Sequence, residues 1–206
     1  KANGIPEAFL LSKNLIRNHS VCLMLGDNFF YGQGFYKSLR KGINLKNGAF
    51  FLAYNVQNPE KYAVLERKKN KILSIKEKPS NPKTNLAIPG IYFFDKNVIN
   101  YCNDLTKSKR GELEIVDLIN IYVKKRKANF SEIGRGISWL DMGSFDDLSD
   151  CSNYIRAIEK RQNFIISSPE EIAYLNKWIT KKKLMKISSQ YNNEYGTYLK
   201  KLCQKK

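Results

Sequence analysis

The sequence predicts an α/β fold of three layers (α/β/α), with a mostly parallel sheet between helices and a small helical appendage at its C-terminal end. Two short apolar runs, Val21–Leu25 and Ala49–Val56, are bounded by turn residues, which is typical of strands buried on both faces. The segment Glu114–Lys125 instead carries apolar residues at helical spacing. Strands that alternate with helices favour a parallel sheet covered on both sides.

The remaining elements follow the same two patterns along the chain. Predicted helices cover residues 5–18, 35–43, 114–125 and 144–161, and predicted strands cover residues 21–25, 49–56, 62–66, 71–76, 88–94 and 137–140. Ser144 is a candidate N-cap, and Ser168-Pro169 begins a lysine-rich helical stretch. We therefore predict two domains, residues 1–161 and a helical appendage of residues 162–206.

The net charge and the spread of the basic residues bear on whether the partner is a nucleic acid or a small anionic substrate. The 206 residues carry a formal net charge of +17, which would suit either a nucleic-acid-binding face or a generally positive surface. The basic residues occur in short runs spread along the chain, such as Arg67–Lys69, Lys124–Lys127 and Lys181–Lys183. No zinc-finger spacing or RNA-binding pattern accompanies them, so anionic small substrates are favoured, and nucleic-acid binding remains an alternative.

Cysteine spacing and hydropathy indicate the cellular compartment in which the protein works. The four cysteines are far apart and form no CxxC pair, which argues against disulfides and a zinc site and favours a reducing cytoplasm. No run approaches the roughly 18 apolar residues of a membrane span. The chain starts without Met, on a loop that leads into an apolar helix pattern, and this predicts missing upstream sequence.

Two aspartates stand where predicted strands end. Asp27 follows Val21–Leu25 after Gly26, and Asp141 follows Ile137–Leu140. Ligands of α/β sheets bind at the carboxyl ends of strands, so both acids are candidates for a ligand crevice. Mg²⁺ beside a triphosphate takes one or two carboxylates and fills its other positions with water and phosphate oxygens. Each acid alone also fits a turn or a helix cap, and that interpretation stays open.

A third candidate is Glu77-Lys78-Pro79, which follows the predicted strand 71–76. The lysine can hold a phosphate as a point charge, and the glutamate can accept hydrogen bonds from sugar hydroxyls. Composition alone favours the alternative of solvated surface charge, because exposed Lys and Glu are common.

Several blocks, in order, resemble one enzyme family. They are Leu25-Gly26-Asp27-Asn28-Phe29-Phe30-Tyr31-Gly32, Asn58-Pro59-Glu60-Lys61-Tyr62, Glu77-Lys78-Pro79, Arg110-Gly111-Glu112-Leu113-Glu114-Ile115, Trp139-Leu140-Asp141-Met142-Gly143 and Ser168-Pro169-Glu170-Glu171-Ile172-Ala173. With a weaker match at Tyr195–Leu199, the likeness runs from Gly4 to about Leu202. The chain resembles the glucose-1-phosphate thymidylyltransferases. This resemblance implies a Rossmann-like fold of the nucleotide-diphospho-sugar transferase type.

The resemblance also implies roles for the charged candidates. Asp27 and Asp141 match the two aspartates that hold the catalytic Mg²⁺, and Asp27 and Lys78 become the catalytic candidates. Lys78 matches the lysine that contacts the sugar 1-phosphate. Glu77 matches a neighbour that binds glucose hydroxyls.

Three further substrate-binding residues are implied by the same match. Gly4 matches a glycine whose backbone helps to read the thymine base. Tyr62 and Tyr92 fall in segments that line the sugar side of the family's pocket.

The implied reaction transfers a thymidylyl group from dTTP to glucose-1-phosphate, giving dTDP-glucose and pyrophosphate with Mg²⁺ as cofactor. A homotetramer is implied, with neither a nucleic acid nor a membrane as partner. A uridylyltransferase shares the layout and remains an alternative.

Departures from the family pattern limit what the chain predicts. The family's glycine-rich triphosphate loop and its thymine-reading glutamine would lie before Lys1. The 206-residue polypeptide alone is therefore expected to have little activity, and a non-catalytic binding module is the second alternative. Leu175 stands where an arginine often occurs in the family's regulatory region, so feedback control is expected to be weakened.

Overall fold

Short apolar runs in the first 143 residues form strands, and amphipathic segments between them form helices. The computed structural model describes residues 2–204 of the chain. The elements of this part are, in order, α1 (Glu7–Leu11), α2 (Lys13–Ile16), β1 (Val21–Met24), β2 (Asn28–Gly32), α3 (Phe35–Ile43), β3 (Ala49–Asn55), a 3-10 turn (Pro59–Lys61), β4 (Ala63–Lys68), β5 (Lys71–Glu77), β6 (Leu86–Ala87), β7 (Ile91–Phe94), α4 (Val98–Asn103), α5 (Ile115–Lys124), β8 (Ala128–Glu132) and β9 (Ile137–Asp141).

The chain divides into two units, Lys1–Gly143 and Ser144–Lys206. The division at residue 161 that the sequence favours stays a prediction about domains. Each unit has its own buried cluster of apolar side chains.

Helices cover both faces of the sheet in the first unit. The central strand β3 alternates, so that Phe51 packs in one apolar cluster and Phe50 in another. The Phe51 cluster includes the buried face of α5, represented by Leu118 and Tyr122. The Phe50 cluster lies against Phe35 and other residues of α3. This arrangement confirms the predicted α/β class, because a sheet with two buried faces needs a helical layer on each.

The predicted parallel pairing is wrong. The seven-stranded sheet has the order β1-β7-β3-β6-β4-β5, with β8 paired to β3. Among the described pairs of this sheet, only β3 and β8 run parallel. Strands β1, β3 and β8 each follow a helix and share one direction, as the prediction assumed. However, β7 runs the opposite way and inserts between β1 and β3, so its pairs with both neighbours are antiparallel.

A separate two-stranded ribbon joins β2 to β9. The antiparallel register places Asn28 opposite Asp141 and Gly32 opposite Ile137. Sequence patterns predicted β9 but assigned Asn28 to a turn. Strand β2 forms because its partner is supplied by a segment more than 100 residues later in the chain, with Trp139 opposite Phe30.

Two local predictions need correction near the start of the chain. The helix predicted over residues 5–18 is broken at Ser12 into α1 and α2. Strand β1, predicted to be buried on both faces, alternates between partly buried and exposed residues, and Met24 is 54% exposed. Apolarity fits a buried strand, but β1 stands at the end of the described strand order, where β7 is its only described neighbour.

The second unit is helical, as predicted. Its elements are α6 (Phe145–Gln162), α7 (Pro169–Leu175), α8 (Lys181–Ser188) and α9 (Glu194–Gln204). The predicted Ser144 cap is confirmed, because its hydroxyl accepts from Asp147 N. The predicted helix start at Ser168-Pro169 is also confirmed, and the Ser168 hydroxyl caps it by accepting from Glu171 N. Across residues 2–204, no helix combines the length and the apolar character that a membrane crossing needs.

Tyrosines of α9 form hydrogen bonds with the first turn of α7. Tyr195 and Ser168 share a hydrogen bond of 2.8 Å, and the Tyr195 hydroxyl also donates to Glu170. Tyr198 donates to Glu171. The two motif fragments that sequence analysis found separately thus form one hydrogen-bonded cluster.

We predict that Gly196→Ala destabilises the second unit. This is the opposite of the intrinsic trend, because alanine is favoured over glycine in a helix by about 1 kcal/mol. A Cβ at this position would lie 2.1 Å from the carbonyl oxygen of Tyr191 and 2.9 Å from that of Ser188. The backbone must move, at a cost of about 1–3 kcal/mol. Thermal unfolding of the variant measures the loss. Lys200→Ala, an exposed change in the same helix, should leave stability unchanged, and equal unfolding of both variants would contradict the packing argument.

Candidate active site

Asp27 and Asp141 lie at the same end of the β2–β9 ribbon. Asp27 occupies the turn after β1, directly before β2 begins at Asn28. Asn28 is the ladder partner of Asp141, the last residue of β9. One step further, Met142 N donates to the carbonyl oxygen of Asp27 over 2.7 Å. The ribbon therefore brings together two acids that are remote in sequence.

Asn28 connects this end of the ribbon to the main sheet. Its amide nitrogen Nδ2 donates to Asp27 Oδ1 over 2.8 Å. Its Oδ1 accepts from Gly90 N and from Trp139 Nε1, both over 2.8 Å. Because both donors fix Oδ1, Nδ2 must face the Asp27 carboxylate. Asn28 is only 7% exposed, and sequence analysis missed this role by treating it as a turn residue.

Gly90 allows this connection by its small size. A Cβ there would lie 2.8 Å from Leu25 Cδ1 and 2.9 Å from Asn28 Cγ, closer than real side chains approach. Its carbonyl oxygen also accepts from Leu25 N over 2.8 Å. The end of β1 and the approach to β7 are thus held together beside Asp27.

Tyr92 marks the point where three acids converge. Its phenol is buried, and burial raises its pKa. The negative charges of Glu77, Asp141 and Asp27 raise that pKa further, in this order. All three carboxylates therefore act on a single side chain in β7. Glu77 and the two aspartates were separate candidates in the sequence, and in the fold the charges of all three act on Tyr92.

Lys78 follows Glu77 in an unusual backbone conformation. Its φ of 40° lies in the left-handed region, which costs energy for a residue with a side chain. Its backbone N–H donates to the carbonyl oxygen of Tyr62 over 3.0 Å. The Tyr62 ring in turn packs against Trp139, with 5.0 Å between centroids. Since Trp139 donates to Asn28, these contacts link Lys78 to the aspartate end of the ribbon.

The Glu77 side chain is accessible to solvent, yet the surrounding protein shifts its pKa. Partial burial raises its pKa, and the neighbouring charge of Lys78 opposes this shift. Glu114 raises the pKa further and Arg110 lowers it. A carboxylate whose pKa is shifted by burial and by specific charged neighbours is a candidate for a functional site.

Arg110 and Glu114 form a charged pair beside Glu77 that the sequence did not single out. Arg110 Nη2 lies 2.8 Å from Glu114 Oε2 and 3.0 Å from Oε1. Ser108 Oγ donates to the same carboxylate over 2.7 Å. Partial burial of Glu114 acts to raise its pKa, but the hydrogen bonds from Ser108 and Arg110 outweigh it and lower the pKa. Both residues stood within a recognised motif block, and that was the only signal for them.

Gly4 packs against the loop that carries this pair. Its φ is +101°, and a Cβ would lie 2.1 Å from the carbonyl oxygen of Leu113. Leu113 N donates to Asn3 O over 2.7 Å. Gly4 therefore has a packing reason to be glycine, and its role in base reading stays a prediction.

The two aspartates fit a divalent ion that shares its coordination with a substrate. Within residues 2–204, His, Cys, Asp and Glu side chains form no group of three or more that could hold a metal ion. A closed all-protein cage is therefore not built by this part of the chain. Two carboxylates suffice for Mg²⁺ when water and phosphate oxygens supply the rest. The two aspartates therefore suit a cation that a bound phosphate would help to coordinate.

Comparison with known proteins agrees with this chemistry. The family model described as nucleotidyl transferase matches residues 1–158. The chain belongs to the nucleotidyl transferase family. This family catalyses reactions that generally need a divalent metal, in keeping with the paired aspartates.

Two relatives with the same name are similar to nearly the whole chain. The chain is 38% identical to the glucose-1-phosphate thymidylyltransferase of Neisseria meningitidis serogroup A, over 98% of the chain and 71% of that protein. It is 40% identical to the enzyme of the same name from Mycobacterium tuberculosis, with the same coverage.

Solved structures give the same fold. A putative glucose-1-phosphate thymidylyltransferase from Bacillus anthracis, in complex with a sucrose, is 34% identical with a TM-score of 0.67. The match covers 75% of this chain and 61% of that one, so the chain spans less than two thirds of the solved protein. A UDP-glucose pyrophosphorylase complexed with UDP-glucose has a TM-score of 0.63 at 20% identity, over 75% of this chain and 62% of that one, which supports the fold alone.

Proposed function

We propose that the chain belongs to a glucose-1-phosphate thymidylyltransferase, which joins glucose-1-phosphate to dTTP, giving dTDP-glucose and pyrophosphate. The observation that carries the proposal is the ribbon end that brings Asp27 and Asp141 together. Lys78 is linked to this end through Tyr62 and Trp139. The names of the relatives support the same reaction.

In this proposal the sugar phosphate is held by the last residue of β5 and the residue that follows it. Lys78 binds the 1-phosphate as a point charge, and its strained backbone is fixed by the hydrogen bond to Tyr62. Glu77 accepts hydrogen bonds from glucose hydroxyls beside it, and Tyr62 and Tyr92 line the sugar side. The attacking phosphate oxygen is thereby oriented toward the α-phosphorus, and positioning of this kind supplies much of the rate in phosphoryl transfer.

Asp27 and Asp141 hold the divalent ion, which is Mg²⁺ in this proposal. When bound there, the ion would offset negative charge at the α-phosphate. Asn28 keeps the Asp27 carboxylate in place by donating from Nδ2, while Gly90 and Trp139 fix the opposite side of its amide.

The reaction is tested on the complete protein that carries this chain. We expect pyrophosphate release from dTTP only when glucose-1-phosphate and Mg²⁺ are both present, with dTDP-glucose as the other product. A parallel assay offers dTTP and UTP in equal amounts. Preferential use of UTP would replace the thymidylyl assignment by uridylyl transfer, and an absence of pyrophosphate with every nucleotide would overturn the proposed reaction.

Lys78→Ala is expected to raise the KM for glucose-1-phosphate by about tenfold or more, because a charge-assisted contact to phosphate is lost. Steady-state kinetics with varied glucose-1-phosphate measures the effect. Lys76→Ala is the matched control, since Lys76 is two residues away and pairs with Glu66 over 2.9 Å. Equal effects of the two substitutions would assign the result to net charge and contradict a specific contact.

The proposal also covers the oligomeric state and the binding partners. A homotetramer is expected, as the resemblance implies, with dTTP and glucose-1-phosphate as the small-molecule partners. Neither a nucleic acid nor a membrane is expected as a partner.

A further inference from the structure

Two basic runs that are far apart in sequence meet in the first unit. One surrounds the β4–β5 turn, where Lys68 and Lys71 are ladder partners. The other is the α5–β8 connection, where Arg126 N donates to Val123 O over 2.9 Å. The active site described above uses neither run.

Together they line a cleft of about 610 Å³, called here the basic cleft. Its charged rim consists of Lys68, Lys69, Lys71 and Arg126. Apolar atoms of Ile72, Val123 and Ala128 form part of the lining, and the amides of Asn70 and Asn129 add hydrogen-bonding groups.

The positive charge of this rim is not neutralised from within. No lining residue of the basic cleft is acidic. Among the ion pairs of residues 2–204, none involves the four rim cations, whereas the adjacent Arg67 is paired with Glu132 over 2.9 Å. Four like charges around one concavity repel one another, and a bound anion would relieve that repulsion.

The turns also hold two of the cations in fixed places. Lys69 has a φ of 53° and Arg126 a φ of 57°, both in the left-handed region that favours glycine or asparagine. Arg67 Nη1 donates to the carbonyl oxygen of Lys69 over 3.2 Å, which ties the first turn to the paired guanidinium. Lys69 and Arg126 therefore occupy turn positions that line the basic cleft.

We propose that the basic cleft is a second anion site, separate from the active site, that binds an oligophosphate chain of two or more phosphate groups. Arg126 can bind one phosphate with two parallel N–H donors, and the lysines hold the others as point charges. The cleft is a concavity of small-molecule size, which favours a compact oligophosphate over an extended nucleic acid. A free oligophosphate and the phosphate chain of a nucleotide share this chemistry.

The probe is inorganic tripolyphosphate, and its binding is measured by titration calorimetry on the complete protein. We expect saturable binding that weakens when salt rises from about 50 to about 200 mM, because the contacts are charged. The double variant Lys69→Gln/Arg126→Gln should bind the probe about tenfold more weakly or worse. Lys68→Gln/Lys71→Gln, which removes the other two charges, should give a loss in the same direction.

Two controls separate this site from net charge and from the active site. Lys181→Gln/Lys182→Gln removes two charges from the exposed start of α8 and should leave the affinity unchanged. Lys78→Gln removes the proposed sugar-phosphate contact and should also leave the tripolyphosphate affinity of the basic cleft unchanged. Adding dTTP in competition shows whether a nucleotide occupies the same cleft as the free oligophosphate.

Four results would overturn the proposed anion site. The proposal is overturned if the wild-type protein shows no binding, or if the α8 control loses as much affinity as the cleft variants. It is also overturned if Lys78→Gln alone abolishes binding, or if a DNA duplex binds the cleft more tightly than tripolyphosphate. A failed activity assay leaves this proposal standing, because the cleft does not depend on the proposed reaction.

Discussion

Asp141→Asn in the complete protein lowers kcat by about 100-fold or more and raises the Mg²⁺ concentration needed for half-maximal rate. The substitution keeps the size of the side chain and removes the charge that a hard cation requires. Asp141 lies opposite Asn28 in the ribbon, and Asp27 O accepts from Met142 N next to it. Loss of one of only two carboxylates should therefore weaken metal binding strongly. Steady-state assays over a range of Mg²⁺ concentrations measure both effects.

The matched control is Asp104→Asn, an exposed aspartate at the end of α4. It removes the same charge from the same unit and should leave both parameters unchanged. Full activity of Asp141→Asn at ordinary Mg²⁺ would refute the metal assignment. Circular dichroism of each variant verifies that the fold is retained. A lower rate then cannot be attributed to unfolding.

Asp95→Ala is expected to destabilise the first unit by about 3 kcal/mol or more. Asp95 is 1% exposed, and its carboxylate accepts from Gly48 N over 2.7 Å, from Asn97 N over 2.9 Å and from the Tyr122 hydroxyl over 3.0 Å. Alanine would leave these donors without an acceptor. Urea unfolding at pH 7 measures the change, and Asp104→Ala, an exposed aspartate, should cost less than about 0.5 kcal/mol.

The contribution of Asp95 should also depend on pH. Burial acts to raise its pKa, but the hydrogen bonds from Gly48, Asn97 and Tyr122 outweigh burial and lower it. The carboxylate therefore stabilises the fold at any pH above its unfolded pKa of about 3.9, and this stabilisation is lost as the pH falls through the folded pKa. The stability difference between wild type and Asp95→Ala should be constant above about pH 5 and shrink below about pH 4. A difference that grows on acidification would contradict the ionised state.

Local patterns sufficed for the elements whose stability is decided within a few residues. Strand β3 is a continuous apolar run, and α5 carries its apolar residues on one face, so both were predicted within about two residues. The Ser144 and Ser168 caps bond to backbone N–H groups three positions away, which a short window contains.

Strand direction and pairing depend on distant partners, and here the prediction of a mostly parallel sheet was wrong. The apolar run of β7 is compatible with either direction, and its place between β1 and β3 is set by register rather than by composition. Strand β2 exists because β9 pairs with it, and its first residue looks like a turn residue when read alone.

The candidate site divides in the same way. Asp27, Asp141, Glu77 and Lys78 were found because each follows a predicted strand, although only in the fold do the charges of the three acids act on Tyr92. Asn28 was missed because its hydrogen bonds reach Gly90 and Trp139, which are 62 and 111 positions away. No local window contains such partners.

The most direct test of the account is a crystal structure of the complete protein grown with Mn²⁺ and glucose-1-phosphate, with the ion located by its anomalous signal. Mn²⁺ is chosen because it takes the same oxygen ligands as Mg²⁺. The account predicts an ion bound by the carboxylates of both Asp27 and Asp141, with the sugar phosphate in contact with Lys78. An ion bound elsewhere, with neither aspartate as a ligand while the sugar phosphate is in place, would contradict it.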